Sequence, residues 1–235
     1  MYTRPTKPKA FSYAPPSEPL KILHEDDALL VFSKPSGLLS VPGRAEDHAD
    51  CLQARAAALY PESLLVHRLD LETSGIFIMA RTKEAQSHLG KQFERRKTAK
   101  TYIARIWGDV EGEEGLIDLP LRCDWENRPM QMVCYEHGRP SQTHWTVLAR
   151  ETLPDGSPVT RLELNPITGR SHQLRVHLLE LGNKEQGGHP ILGDDFYAHE
   201  RAHKAAPRLQ LHAEKLTIHH PNGGERISFI DPCPF

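Results

Sequence analysis

Short apolar runs separated by turn signals dominate the chain. Residues 21–34 (KILHEDDALLVFSK) read as two strands around an acidic turn, and Pro35-Ser36-Gly37 marks the next turn. Residues 76–80 (IFIMA) form a continuous apolar run of strand length. Residues 100–107 alternate, with Tyr102, Ala104 and Ile106 on one face and Ile103 and Arg105 on the other. Residues 141–150 and 159–164 predict two more strands, split by the turn Pro154-Asp155-Gly156. The last two strands fall at 215–219 and 226–230. Helical periodicity appears three times. Residues 50–60 (DCLQARAAALY) are alanine-rich, with Asp50 as the expected N-cap and Pro61 as the stop. Thr82 caps a helix running to about Arg96, with Ala85, Leu89 and Phe93 as its stripe. Residues 169–182 place Leu174, His177, Leu178 and Leu181 on one face, with Gly182 as the C′ glycine. Arg175 falls at the margin of that face, where it can reach into a cleft. Residues 1–19 hold five prolines and read as a flexible tail. Strands outnumber helices and do not alternate with them, so the fold class is α+β, with a mixed, mostly antiparallel sheet and flanking helices.

Composition narrows the function classes. The 235 residues suffice for one large domain or two small ones. The longest apolar runs, such as residues 28–32, are five residues, against roughly 20 for a membrane span. No apolar core of a signal peptide is present near the N-terminus, and a cytoplasmic location is the default. The four cysteines form no CxxC pair, and the 14 histidines no HExxH pattern, so neither a disulfide framework nor a metal is expected. The net charge of −2 argues against a generally basic nucleic-acid binder. Local charge changes that picture. From Arg81 to Arg105 there are eight Lys or Arg, including Arg95, Arg96 and Lys100, against two acids. Such a stripe is either a solvated surface or a guide for a polyanion.

Candidate chemistry centres on residues 67–70 (HRLD), just ahead of the 76–80 run. The cluster is either a charged turn or a site. Asp70 gains a functional reading if a guanidinium holds it ionised and oriented, and Arg175 is the candidate partner. Tyr102 is either a core residue or a ring placed to stack on a base. No GxSxG, Walker loop or Cys/His pair offers another nucleophile, so any chemistry here needs neither nucleotide nor metal.

The stretch HRLDLETSGIFIMARTKEA resembles the central motif of the RluA-type pseudouridine synthases. KPSGLLSVPG, AKTYIARIWG, PITGRSHQLRVHLLELG, HPILGDDFY and LQLHAEKLTIHHP continue the resemblance in family order, over about residues 20–232. RCDWENRPMQMVCYEHGRPSQT is similar to the dual-specificity branch, which acts on tRNA and large-subunit ribosomal RNA. The resemblance implies a pseudouridine synthase catalytic domain over 20–235 with a central RNA-binding cleft. It implies an isomerase that cleaves the uridine N1–C1′ bond and rejoins the base through C5, without a cofactor. It makes Asp70 the catalytic carboxylate, Tyr102 the stacking ring and Arg175 the partner of Asp70. Leu174 lines the pocket, Arg170 helps open the arginine-bearing helix, and Arg68 faces the displaced RNA. His67 orients the loop, and Arg95, Arg96 and Lys100 contact RNA.

The expected partners are RNA stem-loops, namely the tRNA anticodon loop at position 32 and a 23S rRNA hairpin, bound by a monomer. Two departures from the family pattern stand out. About 20 residues before the first motif leave no room for an S4 domain, and 183–188 (NKEQGG) is inserted as a surface loop. Two rivals are a non-catalytic RNA-binding module on the same fold and a metal-dependent hydrolase supported only by the histidine count.

Overall fold

The computed structural model describes residues 12–182 and 188–235. In chain order the strands are β1 (Lys21–Glu25), β2 (Leu29–Lys34), β3 (Leu64–Leu65), β4 (Ser74–Ala80), β5 (Ala99–Trp107), β6 (Glu114–Asp118), β7 (Leu121–Cys123), β8 (Gln131–Val133), β9 (Gln142–Thr152), β10 (Pro158–Pro166), β11 (Leu211–His219) and β12 (Arg226–Ile230). The helices are α1 (Leu52–Leu59), α2 (Lys83–Glu94), α3 (Gln173–Leu181) and α4 (Glu200–Lys204). The class is α+β, as the pattern predicts. The chain divides into two compact units, each described by itself: Ser12–Thr101 with His212–Phe235, which holds Asp70, and Tyr102–Leu211, which holds Arg175.

In the Asp70 unit, β4 is the hub. It pairs antiparallel with β2 along its length, from Gly75↔Lys34 to Ala80↔Leu29. Its other edge is shared: β3 pairs antiparallel at Met79 and Ala80, and β11 pairs parallel at Ser74 and Gly75. Both faces of β4 are covered, which explains its unbroken apolar run. Ile76, Ile78 and Ala80 pack with Ala85 and Leu89 of α2, while Phe77 and Met79 pack with Leu52 and Ala56 of α1. Thr82 Oγ1 accepts the Ala85 N–H at 3.1 Å and starts α2 as expected. Helix α1 differs. Its cap is Cys51, whose Sγ accepts from Ala54, whereas Asp50 forms a two-pronged pair with Arg55. The guanidinium outcompetes the helix amides for that carboxylate. The same Arg55 donates to the carbonyls of Pro16 and Glu18, and the Tyr13 hydroxyl donates to Asp50 O. Residues 12–19, expected as part of a flexible tail, are therefore tied down. The rest of that expected tail lies outside the described residues.

The Arg175 unit is an antiparallel sheet in the order β5-β10-β9-β6, with α3 packed on it. Leu174 and Leu178 of α3 join Ala104, Ile106, Leu162, Leu164 and Trp145, with Tyr102 against the edge of that core. The other side of α3 is buried too: Val176 and Leu179 pack with Leu121 and Met130 of the β7–β8 hairpin and with Tyr197. Arg175 is consequently inside its unit at 4% exposure, not at a solvent margin. Gly182 ends α3 with φ −95°, not in the left-handed conformation of a C′ glycine. Glycine is required there by space, because a Cβ would lie 2.6 Å from the His189 ring. The inserted segment that follows lies outside the described residues except for Gly188.

Gly75 supplies a test of the β4 hub. Its φ is +110°, and an added Cβ would sit 2.3 Å from the Ala213 carbonyl of β11. Gly75→Ala is expected to cost about 2 kcal/mol or more, read as a lower urea midpoint; an unchanged midpoint would show that β11 does not press on β4.

Candidate active site

Asp70 sits on a loop, residues 66–73, between β3 and β4. A set of hydrogen bonds fixes its backbone. The Ser40 hydroxyl donates to Leu69 O at 2.6 Å and accepts the Leu69 N–H at 3.1 Å. Gly37 N–H donates to Leu71 O, and the Ser36 hydroxyl reaches Glu72. Thr73 N–H donates to the Asp70 carbonyl at 3.2 Å, closing the turn. Lys34, fully buried at the end of β2, aims its ammonium at three carbonyls: Leu71 at 2.7 Å, Thr73 at 2.9 Å and Pro35 at 3.1 Å. A buried cation is tolerated only with acceptors around it, so Lys34 dictates where these carbonyls point. The Asp70 and Arg68 side chains emerge from a loop held from beneath; Arg68 is exposed and Asp70 half-buried.

His67 is the loop's other anchor. Its ring is stacked between Phe77, with centroids 4.7 Å apart, and Phe93, at 5.0 Å. Nε2 accepts the Ile78 N–H at 3.0 Å. That amide lies on the β4 edge between the stretch taken by β11 and the stretch taken by β3, so the imidazole fills a gap in the ladder. An accepting Nε2 places the proton of the neutral ring on Nδ1. Burial, with the nearby Lys100 charge, pushes the His67 pKa down to about 3. Lys100, at the start of β5, is itself lowered to about 8, by burial first and then by Arg96. Arg95 and Arg96 are exposed just past the end of α2, Arg96 in a left-handed conformation with φ 56°.

In its own unit, Arg175 meets a carboxylate that the sequence did not announce. Its Nε and Nη2 donate to the two oxygens of Asp194 at 2.7 and 2.5 Å, and Asp194 is wholly buried. Burial acts to raise the Asp194 pKa, but the Arg175 charge and the N–H groups of Phe196 and Tyr197 hold it below the usual carboxylate range. The guanidinium also lies 5.1 Å from each of the Phe196 and Tyr197 ring centroids. Before α3, Gln173 ties the turn together, accepting from Thr168 and from the Arg170 N–H and donating to Gln142 O and Thr143. Arg170 Nε is buried there without an acceptor among the described residues. The clustered histidines are engaged within the protein. His172 meets the Tyr197 hydroxyl at 2.7 Å. His177 bonds Thr143 and Leu119, and its pKa falls to about 4, chiefly through burial. His219 and His220 bond the turn that follows them.

The family model described as RNA pseudouridylate synthase matches residues 28–180. The chain belongs to that family. Within it, the synthase is similar to the dual-specificity RNA pseudouridine synthase RluA of Escherichia coli K12, at 53% identity over 95% of this chain and 98% of that protein. RluA of Vibrio vulnificus is 51% identical over 95% of this chain and 87% of its own length. Among solved structures, human RNA pseudouridylate synthase domain containing 1 superposes with a TM-score of 0.76 at 30% identity, covering 94% of this chain and 87% of that one. The human domain containing 4 protein gives 0.68 at 26% identity, covering 91% and 88%. The synthase is an isomerase acting on RNA, and the comparisons favour this over a binding module without chemistry.

Of the residues singled out in the sequence, the fold of the synthase gathers His67, Arg68, Asp70, Arg95, Arg96 and Lys100 in one unit and Tyr102, Arg170, Leu174 and Arg175 in the other. Lys34 and Asp194 were missed. Their only sequence signals were their places in KPSG and LGDD.

The His67 pKa gives a testable sign. The folded value lies below the unfolded value of about 6.5, so stability is complete above pH 6.5 and is lost as pH falls toward 3. Between pH 7.5 and 5 that loss is roughly 2 kcal/mol. His67→Gln keeps an acceptor for Ile78 without titrating, so its urea midpoint should fall less over this range than that of the unmodified protein, in which His177 contributes equally in both. Parallel curves would contradict the neutral, stacked imidazole.

Proposed function

We propose that the protein converts uridine to pseudouridine in stem-loop RNA, with the tRNA anticodon loop at position 32 and a 23S rRNA hairpin as its substrates. The observation that carries this reading is the clamped loop beneath Asp70, whose backbone is held by Lys34, Ser36, Gly37 and Ser40. Preorganisation of that kind suits stabilisation or capture of the positive charge that develops at C1′ when the glycosidic bond breaks. The similarity to the dual-specificity synthases over 95% of the chain supports the choice of RNAs.

In this reading Asp70 is the reacting carboxylate and Tyr102 the ring that stacks on the target base. Leu174 lines the pocket, and Arg175, held by Asp194, is the guanidinium that the resemblance assigns to the site. The target uridine must leave its stack, at a cost of a few kcal/mol. Phosphate contacts from Arg68, Arg95, Arg96 and Lys100 offset that cost. Arg170, in the turn before α3, is a further cation for the RNA in this reading. The enzyme works without a cofactor, as a cytoplasmic monomer over the domain 20–235.

Release of tritium from [5-³H]uridine in an anticodon stem-loop tests the reaction, because forming the C–C glycoside expels the C5 hydrogen. Release is expected for the unmodified enzyme, with or without EDTA. Asp70→Asn should release nothing while binding RNA with little loss. No release from the anticodon stem-loop, a ribosomal hairpin or bulk unmodified RNA would overturn the reading. Affinity should also fall with added salt. Lys100 adds a pH signature: with its pKa near 8, it sheds charge between pH 7 and 9, so binding should weaken over that range. Lys100→Arg should flatten this response, and an unaltered response would remove Lys100 from the interface.

A further inference from the structure

The β7–β8 hairpin displays two large aromatic side chains that its own unit does not cover. Trp125 is 66% exposed in the turn between the strands, and Tyr135 is 79% exposed in the turn that follows β8. Neither turn is loosely built. Asp124 N–H donates to Met130 O at 2.9 Å, Met130 N–H to Asn127 O at 3.0 Å, and the Asn127 amide to the Asp124 carboxylate at 3.0 Å. Met130 is buried against α3 with Leu121, Val176 and Leu179, and the Gln131 N–H donates to the Tyr197 hydroxyl at 2.8 Å. Gly138 N–H donates to Cys134 O and closes the second turn at 2.8 Å. An exposed indole on a rigid mount loses little freedom when something covers it. One face of the Trp125 ring is taken by the Arg128 guanidinium, 4.5 Å from the ring centroid, whose Nε also donates to Trp125 O.

Charge decides what kind of RNA contact this surface suits. Residues 121–139 contain three arginines (Arg122, Arg128, Arg139) and three acids (Asp124, Glu126, Glu136), so their formal charge is zero. A surface that tracks the phosphate backbone carries excess positive charge, because counterion release drives such binding. A neutral ribbon with exposed rings suits the flat faces of bases, and base–aromatic stacking is worth about 1–3 kcal/mol per base.

We propose that the open face of Trp125 stacks on an unpaired base in the substrate loop, outside the nucleotide that reacts, with Tyr135 offering a second stacking face at the other end of the ribbon. This rests on the stem-loop reading above and deepens it: the hairpin selects an RNA with unstacked loop bases over a continuous duplex. Arg128, already seated over the other face of the indole, holds the ring in place and presents a charge beside the stacked base.

Tryptophan fluorescence gives a direct readout, since the other two tryptophans, Trp107 and Trp145, are half-buried and buried. Titrating an anticodon stem-loop into the protein should quench the emission, and Trp125→Phe should lose most of that quench. Trp125→Ala should raise both Kd and the KM for tritium release about tenfold, the change equivalent to about 1.4 kcal/mol. Trp125→Tyr, which keeps a stacking ring, should stay within about threefold of the unmodified protein. If that protein binds and turns over the stem-loop while Trp125→Ala matches it in Kd, KM and quench, the proposal falls and the substrate reading stands. If it neither binds nor turns over any stem-loop, both fall. A change in sedimentation on Trp125→Ala with RNA affinity unaltered would assign the ring to a protein contact instead, and would overturn the proposal.

Discussion

The buried ammonium of Lys34 is the constraint around which the candidate site is organised. An unscreened positive charge inside a protein is costly unless oxygen atoms surround it. The chain meets that demand with backbone carbonyls of Pro35, the neighbour of Lys34, and of Leu71 and Thr73 in the Asp70 loop. Once those carbonyls converge on one point, the loop between His67 and Thr73 has little freedom left. Ser36 and Ser40 complete the clamp from the segment that follows Lys34, so residues 34–40 act as a template for residues 67–73. Asp70, the proposed reacting acid, is thus carried on a loop, but a loop tied by hydrogen bonds to residues 34–40.

The second unit uses a related device, with a carboxylate in place of the carbonyls. Arg175 is buried on α3, and its cost is offset by the bidentate carboxylate of Asp194, which is itself tied to backbone amides. Two aromatic faces cover the guanidinium. Tyr197 links this pair to the β7–β8 hairpin and to His172, so the turn before α3, the helix and the hairpin form one hydrogen-bonded block. In both units, function-bearing side chains are positioned by buried polar networks and not by apolar packing alone.

Much of this architecture could be read from the sequence because it is local. The IFIMA run became β4, Thr82 became a cap, and the final strand fell at residues 226–230. What escaped was set by partners distant along the chain. Lys34 reads as a surface residue, and nothing nearby shows that carbonyls at 71 and 73 will enclose it. Asp50 looks like an N-cap until Arg55 takes its carboxylate. Strands β3, β7 and β8 are two or three residues long, too short to display a period. His67 could be placed in the loop, but its role depends on Phe77 and Phe93, which close on the ring only after the strand and helix have packed. The family motifs carried Asp70, Tyr102 and Arg175, whereas the groups that hold Asp70 and Arg175 in place became visible only in three dimensions.

In the proposed reaction, it is the Lys34 clamp that makes Asp70 effective. Single-turnover tritium release by Lys34→Met, measured beside its stem-loop affinity and its urea midpoint, tests it most directly. Met keeps most of the side-chain volume but removes the ammonium donor from the three carbonyls, of which Leu71 O retains the Gly37 N–H. The expected result is a folded protein of lowered stability that still binds RNA but releases tritium at least about a hundredfold more slowly, equivalent to some 3 kcal/mol of lost transition-state stabilisation. Release at the unmodified rate from a folded Lys34→Met protein would contradict it.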